Sequence, residues 1–107
     1  MKFDLIVPIF NIQEHLDACL SSIFRQTYRN FRAIMIDDGS TDGSSLIAQS
    51  YADKDARFEY YRKQNGGLSD ARNFGLEKLM AEYVLFIDGD DYIELDLLEV
   101  VYQELLH

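Results

Sequence analysis

The chain has 107 residues, 48% hydrophobic and 27% charged, which describes one small soluble globular domain with enough apolar material for a core. Its formal net charge of -9 argues against nucleic acid and against an anionic membrane surface, because both are bound through basic patches. An anionic small molecule stays compatible only where a metal or a few placed cations offset the repulsion.

Residues 3–9 form an apolar run interrupted by Pro8. Proline lacks the ladder N–H, so the first strand is expected to end about there. Asn11 with Glu14 three residues later resembles a helix N-cap and its partner. Leu16, Leu20, Ile23 and Phe24 then share one helical face, which predicts a helix over residues 12–26. Residues 31–36 are a second apolar run, ending in Asp37-Asp38-Gly39-Ser40-Thr41-Asp42, a loop and capping composition. The next helix is expected to turn Leu46, Ile47 and Tyr51 inward and to close at Lys54-Asp55. Residues 57–62 are aromatic-rich and read as a third strand near a sheet edge. Asn65-Gly66-Gly67 is a turn that needs positive φ. Ser69 is the expected cap of the following helix, with Leu68, Ala71, Gly75, Leu76 and Leu79 along one side. Tyr83-Val84-Leu85-Phe86-Ile87 reads as a buried fourth strand. It stops at Asp88-Gly89-Asp90-Asp91, and Leu97, Leu98, Val101 and Leu105 mark a last helix.

Strict alternation of strand and helix predicts an α/β fold with three α/β/α layers around a mainly parallel, twisted sheet. Ligands in such sheets bind beyond the carboxyl ends of the strands, where the strand order reverses. A strand order of 3-2-1-4 gathers residues 8–11, Asp38 and the acidic loop around one cleft. Unpaired carboxylates are costly to bury, so the loop acids belong past the strand end, facing water or a ligand. Hard oxygen donors at this density suit Mg or Mn, which would in turn hold phosphates. For the loop alone, a solvated acidic turn is the alternative. The two histidines, His15 and His107, have no Cys or His partner at ligand spacing, which argues against zinc. Cys19 permits no internal disulfide and reads as a small packing residue. No signal peptide precedes the first strand, and no apolar stretch approaches a membrane span.

Five segments in order carry a likeness. They are Val7-Pro8-Ile9-Phe10-Asn11, Gln26-Thr27-Tyr28, Ile36-Asp37-Asp38-Gly39-Ser40-Thr41-Asp42, Asn65-Gly66-Gly67-Leu68-Ser69 with Ala71-Arg72-Asn73, and Asp88-Gly89-Asp90-Asp91. Together they resemble the amino-terminal, nucleotide-binding half of a family 2 glycosyltransferase with the Rossmann-like GT-A fold. The resemblance implies an enzyme that takes a nucleotide-diphosphate sugar, usually a UDP-sugar, with Mn or Mg as cofactor. It implies transfer with inversion to an acceptor hydroxyl on a saccharide or lipid-linked partner, in cell-surface polysaccharide or glycolipid synthesis. It also implies a cytoplasmic setting, at or near the membrane face. Under the resemblance Pro8 forms a backbone wall for the base, Asp38 accepts a hydrogen bond from the base, and Arg72 reaches the nucleotide or pairs with a loop carboxylate. Asp88 lies near the ribose or the metal, and Asp90, shared with or replaced by Asp91, is the metal ligand.

Residues 1–107 are therefore expected to be a single truncated donor-binding domain that binds donor without efficient turnover. The general base and the acceptor half are expected beyond residue 107, and the open sheet edge is expected to favour self-association. Two alternatives stay open: an Mg-dependent phosphotransfer domain of phosphatase or receiver type, and a non-catalytic nucleotide-sugar-binding module.

Overall fold

Seven residues of nearly unbroken apolar character, Phe3–Ile9, make the central strand β1, and every one of them is buried. The computed structural model describes residues 3–106; His107 and the first two residues lie outside them. The order continues as α1 (Gln13–Phe24), β2 (Phe31–Asp37), α2 (Ser44–Lys54), β3 (Phe58–Arg62), α3 (Leu68–Leu76), β4 (Tyr83–Phe86) and α4 (Leu97–Leu105). The four strands form one parallel sheet in the order β3-β2-β1-β4, as the alternation predicts.

Alternation along the strands divides the core into two layers. Phe3, Leu5, Val7 and Ile9, with Phe31, Ala33 and Met35, face Leu16, Leu20 and Ile23 of α1, Ala48 and Tyr51 of α2, and Leu98 of α4. Ile6, Ile34 and Ile36 face Ala71 and Phe74 of α3 on the other side. One buried charge sits on the α3 face. Asp4 accepts hydrogen bonds from the Arg32 guanidinium at 3.0 Å and from the backbone N–H groups of Met80 and Ala81 at 2.7 and 2.9 Å. Burial pushes the Asp4 carboxyl up, but these donors together hold it below the usual carboxylate range. The network pins the turn that launches β4.

Several local expectations change. Pro8 and Ile9 stay in β1. The Pro8 carbonyl points to the β4 side, where pairing has stopped at Ile6 and Phe86, so its missing N–H leaves no ladder partner orphaned. Asn11 is not the cap of α1. It takes φ +49, and its side-chain oxygen accepts from the Thr41 N–H at 2.8 Å. The α1 start is instead satisfied across space, with Ile12 N donating to Ser44 Oγ at 3.0 Å and Gln13 N to Asp42 at 3.2 Å. Leu46 is 73% exposed, because the inward row of α2 runs Ser44, Ala48 and Tyr51, with Ile47 half-buried beside it. Ser69 lies inside α3, whose N-cap is Gly67, and Leu68 and Leu76 face outward. The fourth strand is an edge, not a buried strand, and Tyr83 and Phe86 remain exposed on it.

Candidate functional site

The carboxyl end of β1 is stapled to both acidic segments. The Ile9 carbonyl accepts from Asp38 N at 2.8 Å on one side, and the Pro8 carbonyl accepts from Gly89 N at 3.3 Å on the other. Parallel strands with alternate carbonyls pointing left and right make this possible from two adjacent residues. The ends of β2 and β4 are thereby drawn to one place.

On the β2 side the two aspartates do different work. Asp37 is fully buried and braces the loop, accepting from Ser40 N at 2.8 Å, Tyr60 O–H at 2.5 Å and Arg62 at 3.1 Å. Asp38 lies at the cleft wall. Its Oδ1 accepts from Lys63 Nζ at 2.7 Å and Gly66 N at 2.9 Å, and its Oδ2 from Gly67 N at 2.9 Å and, at a longer 3.3 Å, the Asn65 amide. Burial raises its carboxyl, but Lys63 and the two glycine N–H groups outweigh that and hold it below the ordinary range. Presenting two successive N–H groups to one carboxylate requires the turn to fold back on itself, and Gly67 does so at φ +95.

On the β4 side, one oxygen from each of Asp88, Asp90 and Asp91 lies within 4.8 Å of the others. Opposite ligands of an ion held at about 2.1 Å would be about 4.2 Å apart, so slight closure brings these three into one shell. An all-carboxylate set suits Mg or Mn and disfavours soft metals. Gly89 is buried inside the turn for reasons of space. A Cβ there would collide with Ile12 Cδ1 and stand 3.0 Å from the Pro8 carbonyl. From α3, Arg72 reaches Asp88 at 3.3 Å and lies over the Phe86 ring at 5.8 Å, while its Nε is buried without a hydrogen-bond partner. Beneath the loop, the buried Cys19 thiol donates to the Asp88 carbonyl at 3.6 Å.

Pro8, Asp38, Asp88 and Asp90 line one cleft of about 450 Å³, with Phe10, Asn65 and Leu68 completing its walls. Arg72 and Asp91 do not line it. They face a second hollow of about 420 Å³ on the far side of Asp88 and Asp90, beside Phe86 and Tyr92. Asp88 and Asp90 are thus the partition between two spaces. Sequence reasoning missed Lys63, which carried no signal, since an isolated lysine after a strand is common on any surface. It read Asn65-Gly66-Gly67 as a turn and as part of the family likeness without assigning it a contact, although the turn supplies three of the donors on Asp38. The end of β1 carries no carboxylate, unlike the arrangement a phospho-acceptor site would need.

Residues 4–107 match the family described as Glycosyl transferase family 2. Glycosyltransferase GlyA of Streptococcus pneumoniae is 42% identical over 105 residues, covering 98% of this chain and 15% of that protein. Cholesterol galactosyltransferase of Borreliella burgdorferi is 43% identical over 101 residues, 94% of this chain and 28% of that protein. Among solved structures, S. aureus TarS 1-349 in complex with UDP-GlcNAc superposes with a TM-score of 0.89 at 33% identity, over 96% of this chain and 30% of that one. The chain therefore spans less than a third of each of these relatives.

Proposed function

The chain belongs to glycosyl transferase family 2, and from that membership we propose that it is the donor-binding part of an inverting glycosyltransferase. The donor is a nucleotide-diphosphate sugar, with UDP as the nucleotide. One observation carries the reading: Asp38 at the end of β2 and Asp88 and Asp90 past the end of β4 line a single cleft, and an Asp91 oxygen lies within 4.8 Å of theirs on the β4 side. The UDP-GlcNAc complex of TarS, similar over nearly all of this chain, supports the choice of nucleotide.

Pro8 and Phe10 form the wall against the base. Asp38 reads it. A carboxylate offers about four acceptor sites, and four donors already fill them here, so the imide N–H of uracil takes the place of the long Asn65 bond. A base that presents an acceptor at that edge cannot replace the Asn65 bond and sets a lone pair against the carboxylate, which is how the site selects. Asp90 and Asp91 would hold the divalent cation, Asp88 would serve the ribose or the cation, and Arg72 brings positive charge to the same edge. The cation, when bound, neutralises the diphosphate as it leaves. In the transfer an acceptor oxygen bonds to the anomeric carbon as the bond to the diphosphate breaks on the opposite face. The acceptor proton passes to a general base.

None of the acids of this cleft is assigned that role. We place the base and the acceptor site in polypeptide beyond residue 107, so that residues 1–107 bind donor without efficient transfer. The acceptor is a saccharide or lipid-linked hydroxyl at the cytoplasmic face of a membrane. No helix among the described residues is long and apolar enough to cross one. A panel of UDP, CDP and GDP titrated with Mn tests base reading. UDP is expected to bind tighter than CDP, and Asp38→Ala to level those two, with GDP as the control for base size. Equal affinities in the unaltered chain would overturn it.

A further inference from the structure

Gln26-Thr27-Tyr28 is part of the family likeness, yet none of the three lines either hollow at the acidic turn. Gln26 lies just past α1 and is 1% exposed. A primary amide so deep must have partners, and the partners say what it does. Its Nε2 donates to the Ser22 carbonyl at 3.1 Å and to the Glu94 carbonyl at 2.6 Å. Its Oε1 accepts from Leu98 N at 3.0 Å. Leu98 N is one of the donors a helix start leaves without an internal partner, and Asp96, the N-cap of α4, makes no side-chain cap bond. Gln26 therefore caps α4 from another element.

The same face of α1 continues the stitching. Ser22 Oγ accepts from Ile93 N at 3.1 Å, and Cys19 donates to the Asp88 carbonyl. Just after Gln26, Thr27 N donates to the Leu95 carbonyl at 2.9 Å. Residues 88–98 are thus fastened at Asp88 and again at Ile93, Glu94, Leu95 and Leu98. Asp90 and Asp91 lie between the two sets of fastenings, exposed themselves. Their oxygens converge because the backbone is held on both sides.

We infer that Gln26 is a positioning residue for the cation site, clamping the downstream side of the Asp88–Asp91 turn so that three carboxylates meet. The inference rests on the metal reading proposed above. Gln26 touches neither cation nor substrate and acts through the backbone of residues 93–98. Loss of groups that hydrogen-bond a metal's ligands commonly costs about ten- to a hundredfold in affinity, and Gln26, which acts on the backbone beyond the ligands, is expected at the lower end of that range.

The test measures UDP affinity at saturating Mn, and uridine affinity without metal, on the 107-residue chain. Gln26→Leu is expected to weaken Mn-dependent UDP binding about tenfold while leaving uridine binding unchanged. Ser22→Ala, a milder loss of the Ile93 fastening, is expected to move it the same way. Phe58→Leu, a core change on β3 at the opposite edge of the sheet from β4, is expected to lower thermal stability and leave both affinities alone. Gln26→Leu that binds Mn and UDP like the parent overturns the positioning role and leaves the metal reading standing. A parent chain whose UDP affinity ignores Mn overturns both. Should Gln26→Leu not fold, Ser22→Ala with parental Mn-dependent affinity overturns the inference instead.

Discussion

Lys63 Nζ stands 2.7 Å from Asp38 Oδ1 at the wall of the cleft, and the same ammonium reaches Asp70 on α3. The pair ties the end of β2 to the loop that opens α3, and it keeps a buried carboxylate ionised. Asp38 sits below its ordinary range, so its contribution to stability is present above about pH 4 and fades as pH falls through the lower folded value. In Lys63→Met the burial remains and the Lys63 bond is gone. The Asp38 carboxyl is then expected to titrate higher, in a carbon-detected NMR titration. An unmoved titration would mean the glycine N–H groups alone set it.

Asp4 and Arg32 make the corresponding test of the core. Arg32→Met strands a fully buried carboxylate and is expected to cost about 3 kcal/mol in urea unfolding near neutral pH. Asp4 is held low in the folded chain, so its stabilising share is lost in acid. The gap between parent and variant should therefore narrow below about pH 4. A gap that stays constant with pH would show that lost packing, not the stranded charge, is responsible.

Gly89→Ala probes the close approach of the acidic turn to β1. The added methyl meets Ile12, which can yield, and the Pro8 carbonyl, which cannot. Overpacking of this kind costs about 1 to 3 kcal/mol. Because β1 is fully buried and the tip of the turn is exposed, the added methyl displaces the turn rather than the strand, and Mn-dependent UDP affinity is expected to fall as well. Retained affinity alongside lowered stability would place the strain in α1 instead.

Cys19 is predicted to be inert. Burial, with Asp91, Asp90 and Asp88 nearby, pushes its thiol up to about 12. Iodoacetamide at pH 8 should leave it unmodified in the folded chain and alkylate it fully in urea, as read by mass spectrometry. Rapid modification of the folded chain would show that α1 opens far more readily than its packing implies.

Much of this was legible in the sequence, and for definable reasons. Strand-helix alternation predicts a parallel sheet, and the order β3-β2-β1-β4, taken as an expectation, is the one that gathers both acidic tips at one reversal point. Capping was the weakest reading. Asn11 and Ser69 have cap chemistry, yet the start of α1 is satisfied by Ser44 and Asp42, contacts that local sequence does not encode, and α3 opens at Gly67 with no side-chain cap bond. The fourth strand was read as buried because apolar composition records a need for cover without naming what covers it. Phe86, at 45% exposure on the sheet edge, is the residue that betrays this. Asp38 was legible as a residue of the cleft wall, but Lys63, 25 positions away, becomes its partner only when β2 and β3 lie side by side.

The central proposal is that a nucleoside diphosphate is gripped at both ends, its phosphates through a cation that the β4 tip would hold and its base by the β2 tip. Calorimetric titration of UDP with Mn, with chelator, and with Mn on Asp90→Ala tests that grip most directly. The account predicts binding with Mn, and loss of most of it both on chelation and in the variant. UDP affinity indifferent to chelator and to Asp90→Ala would contradict it.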